Sequence, residues 1–507
     1  MNRFAAFLAT AVVAVTAIGC GPRTDVKVAP SAVSASFVER TFSVPSDAGI
    51  LPTRPEQLAT FGELEFNPKK PRVTTLPNGI RLFVLEDHEL PLVSVDVLIR
   101  TGKMYQKKFA AGGLTGAAMR LGGSESVPGD VLEDSLGFMA AEMRIAMGVD
   151  NCNASLDVTK TNFDAAFGLF ADVLLNPGFP EAKLAEIRTQ AIGAIKRRKD
   201  NPREIGRLKF RQVVYGDQNP WSKLTDVDDI RAVTRDDLVE FHKSTFRPNA
   251  AYVAIAGDIT YDEAVAKVTA LLGSWEKKPA PEVVNATLNT GLEPGVYLYP
   301  KKVGQSVIRM GATGMKRHSP DEYAVEVMNR IFGNGTFTSR LGVEVRSNRG
   351  LAYYVFGAVF EDPDPRQGML LALAGVRADK TYEAVTVMRD IIAKMSTQEI
   401  TDGEFSTAKD MIINSFIFNY TSPGQIVSQQ SFLSFTGYPD DYLETYIARI
   451  RAVTKADVLR VAKKYLDPAQ LRIMVVGDPE IVKKPLSELG EVKELETFEK
   501  MVGLQIR

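Results

Sequence analysis

Ile230-Arg231-Ala232-Val233-Thr234 recurs as Ile450-Arg451-Ala452-Val453-Thr454, 220 residues later (450 minus 230). At the same offset Asp237 pairs with Asp457, Lys243 with Lys463, Pro248 with Pro468, and Gly257-Asp258 with Gly477-Asp478: ten identities in 29 positions with no gap. Self-similarity at a fixed distance marks a duplicated structural unit. Thr234 before Asp237, and Thr454 before Asp457, have the spacing of a capped helix start. Each predicted helix leads through a proline-marked turn into an apolar strand, 251–256 and 472–476, closed by Gly-Asp. The chain therefore reads as two copies of one domain, 64–285 and 286–507. Their junction falls in Glu276-Lys277-Lys278-Pro279-Ala280-Pro281 and the turn-rich stretch that runs on to Gly295.

Within each copy strands come first and helices follow. In the first, 79–85 and 92–99 alternate like paired strands around a turn at Asp87-His88-Glu89, and 144–149 and 153–158 read as two more strands. Helices are predicted near 112–121, 130–141, 163–175 and 180–199. The second copy opens with strands 296–299 and 307–312. Its first long helix has Ser319 as cap, Pro320 in the first turn, Glu322 completing the box and Gly333 as stop, and Thr401 with Glu404 boxes another that reaches Tyr420. Hairpins and helices in blocks indicate an α+β fold, each domain a largely antiparallel sheet with packed helices.

At 507 residues, 45% hydrophobic and 24% charged, the chain has globular composition, which excludes a wholly disordered, collagenous or multi-span membrane protein. Lys plus Arg total 61 against 62 for Asp plus Glu, so no net field draws phosphate backbones, and nucleic acid is not an expected partner. The two cysteines, Cys20 and Cys152, supply neither a disulfide framework nor a four-cysteine metal site. His88, His242 and His318 are 154 and 76 residues apart (242 minus 88, 318 minus 242), so none has the helical spacing of a zinc pair. All three are expected at the surface or in turns, and Cys152 as a buried small side chain.

Met1-Asn2-Arg3 followed by an uncharged, mostly apolar run from Phe4 to Gly19 has the form of an export signal, 1–19, too short for an ordinary spanning helix. Ala17-Ile18-Gly19-Cys20 is similar to a bacterial lipobox, which makes Cys20 the lipidated N-terminus of the mature chain, with ordinary secretion or an uncleaved anchor as the alternatives. Gly21 in place of an aspartate leans towards the outer membrane. Pro22, Pro30, Pro45, Pro52 and Pro55 make 20–63 a tether. The expected location is the cell envelope, lipid-anchored and facing the periplasm.

Four stretches carry a family resemblance: Leu76-Pro77-Asn78-Gly79-Ile80, Gly112-Gly113-Leu114, the run Ser339-Arg340-Leu341-Gly342-Val343-Glu344-Val345-Arg346-Ser347-Asn348-Arg349-Gly350-Leu351-Ala352-Tyr353, and the two Gly-Asp endings. From about Pro71 to Asp478 the chain resembles the pitrilysin/insulinase-type zinc metallopeptidases, in the mitochondrial-processing-peptidase-like branch. The resemblance implies two homologous domains forming half of a clamshell that encloses a peptide. Active members carry an inverted motif, H-x-x-E-H, with a further glutamate some way on: two imidazoles and a carboxylate hold zinc, and the motif glutamate takes a proton from its water. Here Gly116 and Arg120 stand at the histidine positions, Met119 at the base and Ala194 at the third ligand. Glycine offers no ligand, a thioether is no base, and a guanidinium repels a dication. Glu125, Glu133 and Glu142 are the remaining carboxylates near the motif, and they read as solvated charges. Arg120 is expected to replace the metal's charge and hold its helix against acidic neighbours.

The resemblance also implies that Arg346 and Tyr353 reach a substrate backbone near the scissile bond, since these donors suit a peptide carbonyl and its developing oxyanion. The plainer reading has Arg346 on an exposed helix face and Tyr353 in the core. Gly333-Asn334-Gly335 reads as a flexible turn, because no strand precedes it and no helix-opening lysine follows. Leu184, Ile187, Ala191 and Ile195 share one helix face and read as core packing. Two-subunit bacterial relatives split the labour, one chain keeping the zinc motif and the other the arginine and tyrosine. The expected function is that second, non-catalytic, substrate-contacting role, with peptide as substrate, no cofactor in this chain, and zinc in a homologous partner subunit. Two alternatives stand beside it: a non-proteolytic binding or assembly protein of the same fold, and an autonomous zinc endopeptidase with unorthodox ligands.

Overall fold

The computed structural model describes residues 66–284, 291–362 and 368–498. The signal segment 1–19, Cys20 and the tether to 63 lie outside the described residues. One six-stranded sheet comprises β1 (Arg72–Thr75), β2 (Arg81–Glu86), β3 (Leu92–Ile99), β4 (Glu142–Met147), β5 (Cys152–Thr159) and β6 (Ala251–Gly257). Another comprises β7 (Gly295–Pro300), β8 (Gln305–Thr313), β10 (Ala352–Val359), β12 (Met369–Arg377), β13 (Arg472–Gly477) and β14 (Val492–Glu494), while β9 (Met315–Lys316) and β11 (Glu361–Asp362) make a short parallel pair. The first sheet runs β4-β5-β3-β6-β2-β1 and the second β10-β12-β8-β13-β7-β14, so the repeat in sequence is a repeat in topology over five strands. The sixth differs: β1 precedes β2 and is antiparallel to it, and β14 follows β13 and is parallel to β7. Most pairs are antiparallel; β2 with β6, β7 with β13 and β7 with β14 are parallel.

The predicted pairing of the first two long strands does not form. β6 lies between β2 and β3, parallel to one and antiparallel to the other. Its sequence explains the insertion: Val253, Ala254, Ile255 and Ala256 are all buried, and a strand apolar on both faces belongs at the centre of a sheet.

Helices α1 (Phe109–Gly122), α2 (Gly129–Phe138), α3 (Phe163–Leu175), α4 (Glu181–Arg197), α5 (Pro202–Tyr215), α6 (Val227–Arg231), α7 (Arg235–Thr245) and α8 (Tyr261–Leu272) belong to the first half. The second half supplies α9 (Glu322–Phe332), α10 (Thr381–Met395), α11 (Asp402–Phe416), α12 (Pro423–Phe435), α13 (Tyr442–Ala452), α14 (Lys455–Tyr465) and α15 (Pro479–Leu486). The capping boxes read at Thr234, Thr401 and Thr454 are all present, each hydroxyl accepting from the backbone N–H three residues on. On α4, Leu184, Ile187 and Ile195 are buried in the core, with Ala191 packed against it.

The box expected at Ser319 is absent. Helix α9 starts three residues later, with Asp321 at its N-cap making no side-chain cap. That carboxylate, almost fully buried, instead accepts from Arg460 (2.5 Å), Lys464 (2.7 Å) and Tyr465 (2.8 Å) of α14. Burial alone would raise its pKa, and the three donors bring it down to about 2. Charge-assisted bonds to α14 outweigh a cap bond worth about 1 kcal/mol.

Helices α5 and α12 occupy equivalent places in the repeat, each starting with a proline after a capping Asn201 or Ser422. Each crosses to the other half's sheet. Ile205, Phe210 and Val213 of α5 pack with Tyr297, Tyr299, Val307 and Met474 of the second sheet. Ile426 and Val427 of α12 pack with Phe83, Leu85, Ala254 and Ala256 of the first. Glycine spacing lets these layers touch: a Cβ on Gly311 would lie 3.3 Å from the Phe210 ring, and one on Gly206 3.2 Å from Val307. Truncating Phe210, which is fully buried in this exchange, to alanine is expected to cost about 3–5 kcal/mol. Urea denaturation should register that loss as one transition, since neither half has a sheet covered without the other's helix.

Candidate functional site

Helix α1 carries the positions at which the resemblance places a metal. Gly116 faces β4 so closely that a Cβ would sit 3.1 Å from the Met147 nitrogen and 3.3 Å from the Ile145 oxygen. Met119 is wholly buried in the core of the first half. Arg120 turns its Nε to the Met143 carbonyl (2.7 Å) and pairs through a terminal nitrogen with Glu133 at 2.8 Å, the latter contact lacking hydrogen-bond alignment. Ala194 is exposed on α4. Among the other carboxylates, Glu142 is paired with Arg144. No three His, Cys, Asp or Glu side chains converge on one point among the described residues. A glycine, a core thioether, a guanidinium and a methyl do not fit zinc, which wants nitrogen, thiolate or carboxylate donors in a tetrahedral set. The cation expected at Arg120 does meet an acid, but on α2, where it fastens α1 to α2 and β4. Arg120→Met is expected to lose about 1–2 kcal/mol in chemical denaturation, from one charged hydrogen bond and a half-exposed ion pair.

Two histidines sit in turns or at the surface: His88 is exposed and 2.6 Å from Asp258, and His318 is exposed with Nε2 2.9 Å from the Thr436 carbonyl. His242 does not. It lies inside α7's packed face, its ring centroid 4.4 Å from that of Phe246, with Nε2 donating to the Leu174 carbonyl at 2.8 Å. Its place on the helix follows Phe241 in a row that α7 turns into the core. Desolvation pushes its pKa down to about 4. A neutral imidazole in the fold and a protonated one in the unfolded chain make stability complete above about pH 6.5, and progressively lost as pH falls from there towards 4. The expected loss at pH 5 is about 2 kcal/mol in denaturant titrations, a slope that His242→Gln should remove. Cys152 is fully buried, and burial pushes its thiol up to about 12, which keeps it protonated.

The run Ser339 to Tyr353 winds into a π-helical turn, Gly342–Asn348, and then enters β10. Leu341 and Val345 anchor the turn in the core of the second half. Gly342 is required there, since a Cβ would meet the Thr336 oxygen at 1.8 Å. Arg340 grips Glu404, the capping residue of α11, through two bonds of 2.6 and 3.0 Å. Arg349 bonds Glu344 at 2.7 Å. Thus the turn's other two arginines are compensated, and Arg346 has no side-chain hydrogen bond or ion pair among the described residues. Its guanidinium sits 4.7 Å from the centroid of Phe337 and 5.9 Å from that of Tyr353.

Tyr353 does not fill core; it is 75% exposed. Ala352 pairs with Val376 and Tyr354 with Gly375, so Tyr353 is the extra residue of a β-bulge, which turns its phenol out of the ladder. Phe337, 60% exposed, completes the group. Nothing in the sequence marked it, because an apolar residue between two threonines reads as core or as accident. The Gly333 turn lies against β10, where a Cβ would approach the Gly357 nitrogen to 2.4 Å. What this arrangement offers is a free guanidinium and a free phenol side by side on a rigid support, a donor pair for a carbonyl or carboxylate oxygen.

A family model described as the Peptidase M16 inactive domain matches residues 232–412, a span that includes this turn. An uncharacterized zinc protease of Mycobacterium leprae is 26% identical over 433 residues, 79% of this chain and 94% of that one. A probable inactive metalloprotease of Bacillus subtilis is 20% identical over 240 residues, 47% of this chain and 55% of its own. Among solved structures, a peptidase M16 inactive domain from Pseudomonas fluorescens has a TM-score of 0.73 at 23% identity, covering 81% of this chain and 98% of that one. The periplasmic protease PqqL from Escherichia coli has a TM-score of 0.69 at 17% identity, over 83% of this chain and 46% of its own. Such identities establish the shared fold.

Proposed function

This chain belongs to the M16 pitrilysin-like family of zinc proteases and their inactive homologues, and from that premise we propose that it is the non-catalytic, substrate-contacting subunit of a cell-envelope zinc metallopeptidase complex. The observation that carries the reading is the contrast between the two sites. The metal positions hold Gly116, Met119, Arg120 and Ala194, while Arg346 and Tyr353, on a π-helical turn and a bulge, have no side-chain hydrogen bond or ion pair among the described residues. A homologous partner subunit supplies the zinc, and with it the activated water. This chain supplies donors: the Arg346 guanidinium holds a peptide carbonyl in place, and the Tyr353 hydroxyl is placed for an oxygen on which charge develops. β10 is an edge strand of its sheet, which leaves backbone groups open for an extended peptide beside Tyr353. Lipidation at Cys20, with 20–63 as tether, holds the pair on the periplasmic face of a membrane.

Arg346→Ala and Tyr353→Phe, each combined with the wild-type zinc-bearing subunit, test the assignment. Peptide cleavage is expected to fall by about 10- to 1000-fold in kcat/KM, the range for loss of a preorganised oxyanion donor, with the melting temperature unchanged. Wild-type kinetics in both variants would remove the role.

A further inference from the structure

The interlocked core carries a second set of arginines whose charge is not balanced. Arg203, Arg207 and Arg211 recur at i, i+4 and i+8 on α5, and all three are exposed. Spacing of that kind puts them in one stripe. Of the three, Arg207 has a carboxylate, Glu204, held by bonds of 2.8 and 2.6 Å. Arg203 lies 4.3 Å over the ring of Tyr354, and that ring occupies the space left by Gly375, where a Cβ would come within 2.2 Å of it. A fourth, Arg309, rises from β8 against Gly206. Its Nε is buried and bonds to nothing. Desolvation first, and then Arg207 and Arg211, push its pKa down to about 10, although Tyr354 and Glu204 favour the charge. Four guanidinia against one carboxylate leave a local charge of +3 (4 minus 1). Self-repulsion of this kind opposes folding, and a desolvated Arg with an idle donor is costly unless an acceptor arrives.

The acceptor that suits this surface is a carboxylate, which takes the guanidinium fork through two parallel bonds. Arg203 and Arg211, the two of the stripe without a carboxylate among the described residues, are about 12 Å apart along the helix axis, close to the ~13 Å that separates side chains four positions apart on one face of an extended peptide. Tyr354, the ring against which Arg203 lies, directly follows Tyr353 on β10, so one strand carries both the site assigned to the peptide backbone and the ring that Arg203 covers. We propose that Arg203, Arg211 and Arg309 form a specificity surface for the substrate peptide, selecting extended segments with acidic residues four positions apart on one face. The inference rests on the substrate-contacting reading above and names the substrate class for it.

Fluorescence anisotropy on the full chain, without a partner and without cleavage, separates the two claims. The probes are a labelled decapeptide with glutamates four positions apart and its glutamine counterpart. The glutamate peptide is expected to bind about tenfold tighter, with the gap closing at high salt. Arg203→Gln combined with Arg211→Gln, both at exposed positions, should abolish the gap without lowering the melting temperature, since it relieves like-charge repulsion; Arg309→Gln, the second variant, is expected to narrow it. Equal affinity for the two peptides overturns the proposal, as does a gap that survives the double substitution. Competition by millimolar inorganic phosphate as effective as that by the unlabelled glutamate peptide overturns it in favour of a general anion site. Loss of binding to the zinc-bearing subunit, with the peptide gap intact, overturns it in favour of a subunit contact. Each of these outcomes leaves the Arg346 and Tyr353 kinetics to be judged separately.

Discussion

The reciprocal exchange of α5 and α12 holds the rest of the molecule in place. A sheet needs cover on both faces if its strands are apolar on both, and here each half's own helices cover one face while the other half's helix covers the second. Phe83 and Leu85 meet Ile426 and Val427, and Tyr297 and Tyr299 meet Phe210 and its neighbours. Polar contacts also tie α12 to the first half: Ser428 of α12 donates to Asp96 of β3, and Arg100 donates to the Phe435 carbonyl at 2.6 Å. Burial raises the pKa of Asp96. Because β10 and α5 meet through Tyr354 and Arg203, the same exchange fixes the position of Tyr353 relative to the first half. The geometry of the Arg346 and Tyr353 site is held within the second half, and the exchange sets where that half lies relative to the first.

Much of the fold could be read from the chain because duplication leaves two copies to compare. Thr234 and Thr454 gave the same helix start twice, and the capping geometry is the same at both. What failed was non-local. A turn at Asp87-His88-Glu89 suits a hairpin, and no local pattern says that a strand some 150 residues away will outcompete its neighbour; the both-faced burial of β6 was the available hint. Asp321 left its cap for three donors on α14, which no window of sequence around it contains. His242 read as a surface residue because a polar side chain on an amphipathic helix usually is one; the Leu174 carbonyl that satisfies it comes from α3.

The candidate site divides along the same line. The family resemblance implies that Gly116, Met119, Arg120 and Ala194 stand at metal positions; that these four side chains make no zinc donor set is a statement about residue types and needs no coordinates. The pairing of Arg346 with Tyr353 was implied by the family resemblance, which says nothing of its physical basis. That basis is a π-helical turn forced by packing at Gly342, two neighbouring arginines already neutralised by Glu404 and Glu344, and a bulge that turns one phenol outward. Phe337 joined the group without warning. The arginine stripe of α5 shows as an i, i+4, i+8 pattern in the sequence, yet its meaning depends on Arg309, which only the crossing of α5 to the other sheet brings alongside.

The central proposal is that this polypeptide holds no hydrolytic metal, with packing and an arginine on α1 where the family resemblance places one, and acts by holding a peptide. Metal analysis of the purified full chain by plasma mass spectrometry, paired with an assay of peptide cleavage with and without chelator, tests it most directly. The account predicts far less than one zinc per chain and no chelator-sensitive cleavage when the chain is alone. One zinc per chain, with proteolysis that a chelator abolishes, would contradict it.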